Sequence, residues 1–240
     1  MTQGAAHLEA MEPSDGRFDG PPPRERIFNV PLVALSLGAS MPALYWFQER
    51  AHTYWLELAF RPVDLAEGRY AGLVTSMLVH GGWAHALMNA VGALTFGAPL
   101  ARLFGGGTGV GVFLALYIVS GAAATLGYGL LHWGGLDPLV GASGGVFGLI
   151  GAASRLLGGR GRVLPLTDGG VIRSAIAWMG VNAVIGLIGF APGAEGARIA
   201  WEAHAFGFLF GILAIGPLAR VFARPDERFD SAAGTGDPVP

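Results

Sequence analysis

Polar and apolar positions in this chain fall into long blocks instead of alternating residue by residue. Six blocks, at about 29–48, 74–99, 108–131, 141–157, 170–191 and 198–219, are apolar enough to be read as membrane spans, each of which needs about 20 mainly apolar residues. The fourth is short and rich in glycine, as expected of a helix surrounded by protein and not by lipid. The long connection at about 49–73 holds the aromatic, amphipathic run TYWLELAF. It is expected at the headgroup level, which Trp and Tyr favour. Polar ends at 1–27 and 223–240 read as disordered tails around one membrane domain, 28–222. The predicted fold class is an all-α membrane bundle of six helices.

Composition strengthens this reading. The 240 residues are 52% hydrophobic and 13% charged, where a soluble domain carries about a quarter charged residues. The 40 glycines fit helices packed in lipid. A net charge of −2 gives no basic surface for nucleic acid. With no cysteine, disulfides, thiolate catalysis and zinc–cysteine sites are excluded. The segment 1–27 lacks a short basic stretch followed at once by an apolar core, so it is not read as a signal peptide.

Arginines set the expected orientation. With the N-terminus in the cytoplasm, 11 arginines fall on or near that side, and Arg50, Arg61, Arg69 and Arg198 fall outside. The positive-inside rule then puts both termini in the cytoplasm. Spans two, four and six run inward from the external face, so His80, His85, Asn89, Ser143 and His204 share one depth in the outer leaflet.

Polar groups within spans are costly and default to functional roles. In VGASGGVFGLIGA, Ser143 has two readings: a small packing residue among glycines, or a nucleophile at a helix start. In AHAFGFLFG, His204, Gly207 and Gly211 share one helix face. Ala203, Gly207 and Gly211 form a ladder of small residues, and Gly144, Gly148 and Ala152 form another. Two such helices pack closely enough to bring a serine and a histidine within about 2.6–3.2 Å, the spacing of a nucleophile and its base. The bland reading is a histidine bonded to a backbone carbonyl.

In HGGWAHALMNA, His85 and Asn89 stand at i and i+4. They are either interhelical polar glue or two donors for a developing oxyanion. His80 and His85 lie about 140° apart on a helix, and no HExxH occurs, so no metal site is expected. His7, His52 and His132 are read as tail, loop and interfacial residues.

TSMLVHGGWAHALMN, GASG and AHAFGFLFG, in this order on spans two, four and six, resemble the rhomboid intramembrane serine proteases over about residues 28–220. The resemblance implies a Ser–His dyad without a third carboxylate. Ser143 is then the nucleophile and His204 the general base and later acid. His85, Asn89 and the Ser143 N–H line the oxyanion hole. Gly141, Gly144, Gly207 and Gly211 permit close helix contact, and His80 has a structural place near the mouth of the site. Phe147 stands where many relatives carry a tyrosine stacked on the histidine. Ala71-Gly72 replaces a common Trp-Arg pair, leaving Glu67, Arg69 and Tyr70 to resemble that neighbourhood.

The activity so implied is hydrolysis of peptide bonds in or near transmembrane segments of anchored proteins, with no cofactor, in a bacterial plasma membrane. Its partners are transmembrane substrates and lipids. Cleavage is expected at helices that unwind easily. The rivals are a catalytically inactive relative that binds membrane helices, and a transporter with a histidine relay. The absence of buried Asp or Glu and of inverted repeats argues against the latter.

Overall fold

Long apolar runs without lipid-exposed strand edges satisfy their backbone groups as helices, and the computed structural model describes eight of them in residues 30–51, 55–159, 161–188 and 200–224. In chain order these are α1 (Leu32–Ala51), α2 (Val63–Ala66), α3 (Gly72–Thr75), α4 (Trp83–Phe104), α5 (Gly106–Leu131), α6 (Ser143–Ser154), α7 (Gly169–Ile188) and α8 (Trp201–Phe222). Among the described residues the only extended pairing is an isolated antiparallel bridge between Phe60 and Leu139. The tails at 1–27 and 225–240, with His7, His52 and positions 189–191 and 198–199 of the last two predicted blocks, lie outside the described residues.

Four of these helices, α4, α5, α7 and α8, are long and apolar enough to cross a membrane. The first predicted span is also helical, but α1 closes on the polar Gln48-Glu49-Arg50 and is not among the four. The fourth, α6, has 12 residues and so extends about 18 Å, against a hydrocarbon core of about 30 Å.

The second predicted span begins nine residues later than expected, at Trp83 instead of 74. Gly81-Gly82 breaks the run, with Gly82 fully extended, so residues 72–78 form α3 and a 3₁₀ turn, Ser76–Leu78, outside α4. His80 therefore does not ride on the helix that carries His85 and Asn89. The connection before it is organised by hydrogen bonds. Phe60 N–H donates to Leu139 O and Val63 N–H to Gly135 O, and the buried Asp64 carboxylate accepts from Arg61 N–H and the Arg69 guanidinium.

At the centre stands α6, with ten of its twelve residues buried. It packs against α4, α5 and α8, while α1 lies outside on α4. Glycines make this possible. A Cβ on Gly207 would overlap the Gly144 carbonyl oxygen, and one on Gly211 would overlap that of Gly148. A further close approach falls on Gly151, whose Cβ would meet Phe208 O, while Cβ atoms on Gly144 and Gly148 would meet Ala124 and Ser120 of α5.

Backbone atoms cannot rotate aside as a side chain can, so overpacking here is expected to cost at least the usual 1–3 kcal/mol, roughly, of an overfilled core. Gly211→Val lowers the unfolding temperature in detergent by several degrees. Gly111→Ala, on α5 where a Cβ meets nothing, leaves it within about two degrees.

Candidate active site

Ser143 is the first residue of α6, and the preceding Ala142 supplies no side-chain cap. The first N–H groups of a helix have no intrahelical acceptor, so the uncapped start of α6 presents donors beside the serine hydroxyl. Gly141 turns the chain into this start with φ +122°, a region where side chains are strained. A Cβ there would also press on the His85 ring at 2.6 Å from Cε1 and lie 3.7 Å from Ser143 Oγ. Glycine thus lets His85 reach the neighbourhood of Ser143. Gly141 N–H donates to Ser76 O at 2.9 Å, tying this turn to the segment ahead of α4.

His204 projects from the first turns of α8, with Nε2 2.8 Å from Ser143 Oγ. The Phe147 ring lies parallel to the imidazole, at 4.2 Å between centroids and 6° between planes. That stacking fixes the ring plane. The close approach of α6 and α8 at Gly144–Gly207 and Gly148–Gly211 sets the distance between the two helices that carry this pair.

The sequence reading did not include Asn182. Its Oδ1 lies 2.8 Å from His204 Nδ1, and its Nδ2–H donates to Trp201 O at 2.8 Å. The available signal was a single asparagine in the apolar run of α7. Glu202, two residues before His204, is directed elsewhere, 3.5 Å from His132 at the end of α5.

On α4, His85 Nδ1 accepts the Gly81 N–H at 3.3 Å. A neutral imidazole with one accepting nitrogen carries its proton on the other, so Nε2–H is the donor, on the edge that faces Gly141. One turn along, Asn89 is buried and its Nδ2 has no hydrogen-bond partner among the described residues. Leaving such an amide unpaired costs about 1–3 kcal/mol. Ser143, His204, Asn182 and His85 therefore converge from four helices. The carboxylates of the first connection, centred on Asp64, form a separate network with Arg69 and Glu67.

His80 is buried in the link between the 3₁₀ turn and α4, edge-on to His85 at 5.4 Å. Its backbone is clamped by Gln48 of α1, which donates to His80 O at 2.7 Å and accepts His80 N–H at 3.0 Å. Both ring nitrogens lack partners among the described residues.

Residues 67–221 match the Rhomboid domain family model. A Bacillus subtilis (strain 168) protein with the name "Putative rhomboid protease YdcA" is 28% identical over 131 residues, which cover 52% of this chain and 61% of that relative's length.

Burial, and secondarily the charge of His85, lowers the His80 pKa to about 4 from the ordinary 6.5. Between those values the denatured chain binds a proton that the folded chain does not, so stability falls as pH drops through this window. The loss amounts to about 3 kcal/mol when complete. His80→Asn is expected to show a flatter fall in unfolding temperature between pH 7 and pH 4 than wild type. Parallel curves would contradict it.

Proposed function

The chain belongs to the rhomboid family, and from that membership we propose that it is an intramembrane serine endopeptidase working through a Ser143–His204 dyad. The observation that carries this reading is the 2.8 Å contact between Ser143 Oγ and His204 Nε2, in a site that also holds the unpaired donor of Asn89.

In the proposed reaction His204 Nε2 takes the Ser143 hydroxyl proton as Oγ attacks the scissile carbonyl. The negative charge moves to the carbonyl oxygen, which accepts from Ser143 N–H, His85 Nε2–H and Asn89 Nδ2–H. As the C–N bond breaks, His204 returns its proton to the leaving amine, and an acyl-enzyme remains on Ser143. Water then gives a proton to His204 while its oxygen attacks the ester carbonyl. Collapse of that second intermediate restores the Ser143 hydroxyl and releases the carboxylate product. Ser143, His85 and His204 are half-buried, which suits a site that water must reach.

The protein is an integral membrane protein. We extend this to six spans by adding α1 and α6 to the four long apolar helices, with α6 shielded from lipid by its neighbours. Both termini are assigned to the cytoplasm and the Ser143 end of α6 to the external side of a bacterial plasma membrane. Substrates are membrane-anchored proteins whose transmembrane helices unwind readily, because an intact helix shields its own peptide bonds.

Reconstitution with a model transmembrane substrate tests the reading. Wild type is expected to cleave it and to be labelled at Ser143 by a fluorophosphonate. Ser143→Ala and His204→Ala lower the rate at least about 1,000-fold, and Asn89→Ala about 100-fold. Equal cleavage by Ser143→Ala would sink the assignment. Neither cleavage nor labelling by the folded wild type would favour the inactive helix-binding alternative.

A further inference from the structure

The contacts of Asn182 fix more than a ring position. The Trp201 carbonyl can only accept a hydrogen bond, so the Asn182 NH₂ must face it, 2.8 Å away. The amide is thereby prevented from flipping, and its oxygen is the atom 2.8 Å from His204 Nδ1. An amide oxygen can only accept, so Nδ1 carries the proton. A neutral imidazole has one proton, which leaves Nε2 as the lone-pair nitrogen facing Ser143 Oγ.

We propose that Asn182 is the positioning residue for His204, its side-chain oxygen selecting the tautomer in which Nε2 accepts the Ser143 proton. The inference rests on the reading of His204 as the base.

The surroundings support this role. Asn182 is one of two buried residues on α7, the other being Val171. Gly186, one turn further on, leaves the space that the Trp201 indole fills, and so holds α7 in register with the start of α8. Trp201 and His204 are three residues apart, so the amide bridges the backbone of α8 to a ring on that same helix. An amide also avoids the desolvation that a carboxylate would meet within an apolar helix. It still accepts from Nδ1–H when the ring becomes an imidazolium, and a bond to the charged ring is stronger than one to the neutral ring. The contribution is therefore larger in the transition state than in the ground state.

The test uses the full chain labelled with ¹⁵N-histidine in detergent, with the His204 signals assigned by their loss in His204→Gln. In wild type, neutral His204 is expected to carry its proton on Nδ1. Asn182→Leu, close in volume but unable to accept, is expected to lose that preference. Its kcat should fall about 10- to 100-fold with KM unchanged within about twofold. Asn182→Ala is expected to behave alike. A proton on Nε2 in wild type would overturn the proposal, as would an unchanged tautomer in Asn182→Leu or a kcat within about twofold of wild type. A wild type that neither cleaves substrate nor reacts with a fluorophosphonate would fail the protease reading instead, and the wild-type tautomer would still decide the role of Asn182.

Discussion

The contact on which the rest of this structure depends is backbone against backbone, where α6 and α8 meet at Gly144–Gly207 and Gly148–Gly211. In a bilayer, lipid tails are as apolar as leucine, so close packing and interhelical hydrogen bonds must hold helices together. Glycine pairs let the helix axes approach until carbonyl oxygens sit where side chains would otherwise be. That approach sets the separation of Ser143, at the start of α6, from His204, in the first turns of α8. Packing and the Ser143–His204 contact are therefore one arrangement: a methyl group at Gly207 changes the core and the separation of the two side chains with it.

Near that contact Asn182 and His85 are each held by a partner of defined hydrogen-bond character, while Asn89 Nδ2 has none among the described residues. The Trp201 carbonyl orients Asn182, and Asn182 faces His204 Nδ1. The Gly81 N–H directs the other edge of His85 toward Gly141. An isolated charge is expensive in an apolar interior, a cost that amide and carbonyl partners avoid. The carboxylates sit elsewhere: Asp64 braces the first connection, and Glu202 lies beside His132.

Much of this was legible in the sequence, for identifiable reasons. Spacings of four placed Gly144 with Gly148 and Gly207 with Gly211, and the structure brings those two faces together. Gly151 stands outside that spacing, yet its Cβ position meets Phe208 O of α8. Gly81-Gly82 breaks the helix, whereas the predicted second span ran over continuous apolar content from residue 74. Asn182 was not legible as part of the site. A lone asparagine in an apolar run reads as interhelical glue, and only the rotation of α7 against α8 turns its amide toward His204. The bonds of Gln48 to His80 escaped for the same reason, since pairing across 32 residues leaves no local pattern.

The proposed reactivity of Ser143 depends on close helix contact, and not merely on the presence of both residues. The most direct measurement is the rate of fluorophosphonate labelling at Ser143 in Gly207→Ala, read beside its unfolding temperature. Labelling slowed at least about tenfold in a protein that still unfolds cooperatively is the predicted result. Labelling at the wild-type rate would contradict it, because reactivity would then be independent of the separation that Gly207 sets.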